Sequence, residues 1–110
     1  METHASFQFL LTGGTPAAAR RINQILTKHF GYDCVRHHHH KQMDCIQWNH
    51  IDLLLLDMSL PDDVSVKLLK EISHRQPQTP VMLLAKPDQL THALEIIPHG
   101  AADVVIKTKT

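Results

Sequence analysis

The strongest hydrophobic pattern in the chain is an uninterrupted apolar run near its middle. Four leucines at positions 53–56 end in Asp57, and a turn with Pro61 follows at once. A short apolar run bounded by turn signals predicts a strand that is buried on both faces, which is typical of the centre of a parallel sheet covered by helices. Asp57 then lies at the carboxyl end of the strand, where open α/β sheets bind ligands. The alternative is that Asp57 only begins the turn.

Shorter apolar runs predict four further strands, and amphipathic segments between the strands predict helices. The strands are expected at residues 7–12, 32–36, 51–56, 81–84 and 104–106. The helices are expected at residues 16–29, 41–48, 65–75 and 89–96. Thr15, Ser65 and Asp88 are the predicted amino-terminal caps of three of these helices. Because strands alternate with helices, we predict one α/β domain with a five-stranded parallel sheet in a three-layer sandwich.

The overall composition excludes several classes of protein. The chain of 110 residues has room for one domain, and its 11 basic and 11 acidic side chains give a formal net charge of zero. A chain without net positive charge lacks the electrostatic attraction that nucleic acid or an acidic membrane surface would exert. The two cysteines are too few for a disulfide framework. We therefore expect a cytoplasmic protein that binds neither membranes nor, directly, nucleic acid.

Histidine is unusually frequent, with ten copies in the chain. Four of them are consecutive: His37, His38, His39 and His40. Imidazole nitrogens bind Zn²⁺ or Ni²⁺, so one hypothesis is a metal or pH sensor. Consecutive residues of an extended segment point to alternate sides, however, and four in a row cannot all face one ion. The interpretation that we favour is a polar loop between the second strand and the second helix.

Three motifs in the second half of the chain resemble receiver domains of two-component response regulators. They are the segments DLLLLDMSLPD at 52–62, PVMLLA at 80–85, and ALE at 93–95 followed by GAADVVIK at 100–107. The resemblance implies a flavodoxin-like sandwich with strand order 2-1-3-4-5. It also implies that Asp57 occupies the position of the phosphoacceptor, which takes a phosphoryl group from a histidine kinase. Lys107 matches the lysine that pairs with that phosphoryl group.

The chain departs from the family where the family binds its metal. Receivers hold Mg²⁺ with an acidic pair just after the first strand, because a divalent cation must neutralise the phosphoryl oxygens. Here that region reads Thr12, Gly13 and Gly14, and no acidic residue occurs between Glu2 and Asp33. The resemblance therefore implies a pocket that holds Mg²⁺ poorly.

Two further positions of the family pattern are changed. The switch hydroxyl at the end of the fourth strand falls on Ala85, and the aromatic side chain that moves with it falls on Val104. We therefore predict a pseudo-receiver, which is not an enzyme, has no cofactor and signals by binding a protein. Its partner would be a separate protein, such as a histidine kinase, or an attached output domain. The predicted interface is residues 89–106.

One alternative to the pseudo-receiver keeps the phosphoryl chemistry. In that case Asp57 is phosphorylated, and Mg²⁺ is held in an unusual way by residues such as Asp62 or Asp63. This alternative and the histidine sensor both stay open at the level of sequence.

The resemblance also concerns the end of the chain. Receivers continue past the lysine into a fifth helix, whereas three residues follow Lys107 here. We expect residues 1–110 to be an N-terminal fragment of a longer protein. The alternative is that a partner or a second copy, as a homodimer, covers the sheet. Without that helix, apolar residues such as Val81, Leu83 and Val105, or their alternates, would be exposed.

Overall fold

Five parallel strands form one sheet at the centre of the molecule. The computed structural model describes residues 7–31, 35–39, 41 and 46–107. The strands are β1 (Phe9–Thr12), β2 (Val35–His38), β3 (Leu53–Asp57), β4 (Val81–Ala85) and β5 (Asp103–Ile106). All neighbouring strands pair in parallel, in the order β2-β1-β3-β4-β5. The predicted α/β class and the predicted strand order are therefore confirmed.

Helices cover both faces of this sheet. They are α1 (Pro16–Phe30), α2 (Asp62–Arg75) and α3 (Leu90–Ile96). Short 3₁₀ turns lie at Trp48–His50, Pro87–Gln89 and Ile97–His99. In the part of the chain that the structure describes, none of the helices has the length and apolar character that crossing a membrane requires.

The alternation of side chains along the strands divides the core into two layers. One layer lies under α2 and α3, and the other lies under α1. The first contains Leu10, Leu54, Leu56, Val81, Leu83, Leu69, Ile72, Ala93 and Ile96. The second contains Phe9, Leu11, Ala19, Leu55 and Leu84. Both faces of β3 are buried, as its continuous leucine run predicts.

Local signals set both ends of α1. The Thr15 hydroxyl accepts a hydrogen bond from the Ala18 N–H at 3.1 Å, and Pro16 occupies the first turn. Gly31 ends the helix in a left-handed conformation with φ of 78°, and its N–H donates to the Thr27 carbonyl. The predicted cap and stop of this helix are both present.

The predicted start of α2 is wrong by three residues. The helix begins at Asp62, so Ser65 lies inside it rather than capping it, and Ser65 is completely buried. Carboxylates are favourable in the first turn of a helix because they face the positive end of its dipole, and Asp62 and Asp63 both lie there. The prediction treated these two residues as part of the preceding turn.

The second strand is also displaced from its prediction. β2 contains His37 and His38, which were assigned to a polar loop, whereas residues 32–34 lie outside the described part. The register explains this shift, because β2 pairs with β1 residue by residue from Val35 opposite Phe9 to His38 opposite Thr12. Backbone pairing at an edge strand is satisfied whether or not the side chains are apolar.

Residues 42–45 of the predicted helix at 41–48 lie outside the described part of the chain. Its last predicted residue, Trp48, begins a 3₁₀ turn. The predicted cap Asp88 lies inside the 3₁₀ turn before α3. At the start of this turn, Gln89 rather than Asp88 makes the capping contact. Its side-chain oxygen accepts a hydrogen bond from the Lys86 N–H at 2.8 Å.

The prediction of which sheet residues are exposed is only partly right. Val105 is 44% exposed, whereas Val81 and Leu83 are buried. The reason is their parity, because Val81 and Leu83 point towards α2 and α3, while Val105 points to the opposite face.

Candidate functional site

Asp57 is a buried acidic side chain at the carboxyl edge of the sheet. It is the last residue of β3 and is 1% exposed. An isolated carboxylate in such a place would be costly, so its oxygens need partners. One of them is local: the Ser59 N–H donates to Oδ1 at 2.9 Å, which closes a turn of the Asx type.

Lys107 supplies the charge that balances Asp57. Its ammonium nitrogen lies 3.0 Å from Oδ1 and 2.9 Å from Oδ2 of Asp57, so both carboxylate oxygens accept from it. The backbone N–H of Lys107 donates to the Ala85 carbonyl at 2.7 Å, which fixes the residue as β5 ends. The lysine side chain remains about one-third exposed, at 34%. The result is a tight, half-shielded ion pair between residues 50 positions apart.

A double-glycine turn packs against the other side of Asp57. Gly13 and Gly14 have φ of 84° and 74°, a left-handed conformation that other residues adopt at a cost. A Cβ atom on Gly13 would lie 2.9 Å from the Asp57 carbonyl oxygen, and one on Gly14 would lie 3.1 Å from Asp57 Oδ2. The Gly14 N–H donates to the Ser59 hydroxyl at 2.8 Å. The turn thus holds backbone, rather than side chains, against the aspartate.

The other positions at which the chain departs from the family pattern contribute few polar groups near Asp57. Ala85 ends β4 and is completely buried, and Val104 packs against the core under α2 and α3. Thr12 is also completely buried, and its hydroxyl has no hydrogen-bond partner among the described residues. His37 is nearby, with Nε2 3.1 Å from the Gly13 carbonyl oxygen.

The weaker metal candidates that the structure describes do not gather into one site. Asp62 and Asp63 are exposed in the first turn of α2, and Asp62 faces His92. His37 and His38 are neighbours in a strand, so their side chains point to opposite faces. His39 Nδ1 accepts from the Lys41 N–H, and His40 lies outside the described residues. Within the described ranges, no group of three or more His, Cys, Asp and Glu side chains is arranged to hold a metal ion.

Two residues that the sequence did not single out connect the loops around Asp57. Ser59 links Asp57 to Gly14, as described above. Gln89 connects the next loop, since its amide nitrogen donates to the Met58 carbonyl at 3.2 Å. The Asx turn at Ser59 is a local signal that was available, whereas the Gln89 contact spans 31 residues and has no local signal.

These features define a class of protein. A parallel sheet in the order 2-1-3-4-5, with an acidic residue ending its central strand and a lysine following its last strand, is the architecture of a signalling receiver. A family model described as the response regulator receiver domain matches residues 10–110. The chain belongs to this family.

Curated relatives are much longer than the matching region. The chain is 34% identical over 56 residues to the regulatory protein LuxO of Vibrio cholerae, an alignment that covers 51% of the chain and 12% of LuxO. It is 36% identical over 58 residues to the regulatory protein AtoC of Escherichia coli, covering 53% of the chain and 13% of AtoC. The chain therefore spans only a small part of these relatives.

Solved structures share the fold over almost the whole chain. A response regulator receiver domain protein from Clostridium thermocellum superposes with a TM-score of 0.77 at 20% identity, covering 96% of this chain and 85% of that one. The receiver domain of NtrX from Brucella abortus gives a TM-score of 0.74 at 21% identity, covering 94% and 88%. At these identities the likeness establishes the fold.

Proposed function

We propose that this receiver acts in two-component signalling as a pseudo-receiver, which binds a protein without being phosphorylated at Asp57. The observation that carries the proposal is the arrangement around that residue. The Lys107 ammonium contacts both carboxylate oxygens, and the turn that packs against Asp57, at Gly13 and Gly14, carries no acidic side chain.

The electrostatics of phosphoryl transfer support this proposal. Transfer to a carboxylate brings several negative oxygens together, and a bound divalent cation normally neutralises them. Mg²⁺ is held by oxygen ligands, chiefly carboxylates and waters. The turn after β1 provides no carboxylate, and the Cβ of any side chain at position 14 would stand 3.1 Å from Asp57 Oδ2. Lys107 contributes one positive charge, whereas a bound divalent cation would contribute two.

The surface formed by α3 and β5 is the candidate docking site. It corresponds to the interface predicted at residues 89–106. Leu94 on α3 is 53% exposed there, whereas Val105, which is 44% exposed, points to the opposite face of the sheet and lies outside this surface. A partner protein that docks over α3 would remove the Leu94 side chain from water, which is favourable. In this proposal the occupant is a partner protein or an output domain attached to the receiver.

A titration with Mg²⁺ tests the metal part of the proposal. We expect the backbone amide signals of Asp57, Met58 and Ser59 in NMR spectra to show no saturable shift at millimolar Mg²⁺, because the pocket lacks the acidic pair. A receiver that has the acidic pair, measured in the same buffer, is the positive control. Saturable shifts that begin at Asp57 and disappear in the variant Asp57→Asn would contradict the proposal.

The second candidate function is a receiver that is phosphorylated on Asp57. The observation that favours it is the contact of Lys107 with the Asp57 carboxylate, since the same lysine would be in position to pair with a phosphoryl group. The two candidates differ in one covalent modification, so intact mass separates them.

A further inference from the structure

Two side chains of the α3 segment reach across to the connection between β3 and α2. Gln89 precedes α3 and donates from its amide nitrogen to the Met58 carbonyl at 3.2 Å. His92 lies in the first turn of α3, with Nε2 3.1 Å from Oδ1 of Asp62. The two residues are three positions apart, one in the 3₁₀ turn and one in α3, and both face the connection between β3 and α2. Their contacts join Met58 and Asp62 to the segment that contains the proposed docking helix.

The surroundings of His92 make one of these contacts dependent on its charge. Its Nδ1 is also 3.6 Å from Oε1 of Glu95, so the ring lies between two carboxylates. Among the described residues these are the charged groups within 4 Å of the ring, Asp62 from α2 and Glu95 from α3. The other nearby acidic residues, Asp63 on α2 and Asp88 before α3, form no salt bridge with it in the described part of the chain.

The geometry of the Asp62 contact indicates attraction between charges. The His92 Nε2 atom is shielded from water and makes no directed hydrogen bond to any described group, although Asp62 Oδ1 is at hydrogen-bond distance. A shielded nitrogen beside a carboxylate, without a well-aimed hydrogen bond, gains most when the ring carries a positive charge. A neutral ring would lose that attraction.

We propose that Gln89 and His92 form a clasp between the β3–α2 connection and α3, and that protonation of His92 tightens it. The switch hydroxyl and aromatic of the family are replaced here by Ala85 and Val104, and the contacts of Gln89 and His92 provide a different physical link between the β3–α2 connection and α3. The clasp is that link, and it attaches α3 more strongly to the β3–α2 connection at mildly acidic pH. Its regulatory meaning rests on the proposed function of α3.

Hydrogen exchange of the free protein tests the clasp. Protection factors, which remove the intrinsic pH dependence of amide exchange, are compared for α3 and α1 at about pH 5.5 and about pH 7.5, on either side of the usual titration of histidine. We expect α3 amides to be about two- to fivefold better protected at the lower pH, the range of an exposed ion pair, with α1 unchanged.

Variants assign the effect to the clasp. His92→Gln should abolish the pH dependence in α3, and Asp62→Asn should reduce it, because Glu95 still faces the ring. His29→Gln, at an exposed histidine of α1, should retain the pH dependence. Gln89→Ala should lower α3 protection at both pH values. Equal protection of α3 at the two pH values, a pH dependence that persists in His92→Gln, or unchanged protection in Gln89→Ala would overturn the proposal. The measurement involves neither partner nor phosphorylation, so it can fail independently of the proposed function.

Discussion

Replacing Lys107 with methionine is expected to lower the free energy of unfolding by about 2–4 kcal/mol. The substitution keeps much of the side-chain volume but removes the charge that faces Asp57. Asp57 is 1% exposed, so its carboxylate would be left buried, and the Ser59 N–H would be its remaining partner in the part of the chain that the structure describes. Removal of one partner from a fully buried ion pair costs about 3–5 kcal/mol. We expect somewhat less, because the lysine side chain is 34% exposed and water can enter in its place.

Urea denaturation of Lys107→Met measures this loss directly. Lys70→Met is the matched control, since Lys70 is exposed on α2 and its loss should change stability by no more than about 0.5 kcal/mol. The double variant Asp57→Asn, Lys107→Met should recover part of the stability, because it no longer buries an unpaired charge. Equal stability of Lys107→Met and Lys70→Met would show that the ion pair is not a structural element of the site.

The second large effect is expected for Gly13→Ala, with a loss of about 3 kcal/mol or more. Two costs add at this position. The φ of 84° is unfavourable for any residue with a Cβ atom, and that atom would lie 2.9 Å from the Asp57 carbonyl oxygen and 3.1 Å from Asp57 Cβ. Neither neighbour can move without shifting the end of β3.

Gly31→Ala separates the two costs. Gly31 has φ of 78°, but a Cβ there would meet nothing within 4 Å. It should therefore lose only the conformational part, about 1–2 kcal/mol. Thermal or urea unfolding of both variants gives the comparison. Equal losses at positions 13 and 31 would mean that the double-glycine turn is not held tightly against Asp57.

The sequence predicts the centre of this fold better than its edges. The leucines of β3 are buried on both sides, so their pattern alone marks a central strand. The caps of α1 at Thr15 and Gly31 are local interactions that a sequence displays directly. In contrast, β2 is an edge strand whose register is set by its pairing with β1, and its histidines conceal it. The start of α2 was missed because Asp62 suits both a turn and a first helical turn.

The site could be predicted only in part. The lack of an acidic residue between Glu2 and Asp33 is visible in the sequence, and Asp57 and Lys107 were singled out through the resemblance to receivers. The contact of both carboxylate oxygens with Lys107, however, depends on the order of strands and on the point at which β5 ends. The close approach of Gly13 to Asp57, and the links made by Gln89 and His92, join residues far apart in the chain. No periodicity or motif reports such contacts.

Intact mass after incubation with acetyl phosphate and Mg²⁺ is the most direct test of the central claim. The pseudo-receiver account predicts no mass gain, while a receiver with an intact acidic pair, treated in parallel, gains one phosphoryl group. Asp57→Asn serves as the variant that cannot be modified at this position. Gain of one phosphoryl group by the native chain and not by Asp57→Asn would contradict the account, and Asp57 would then be a phosphoacceptor with Lys107 as its partner.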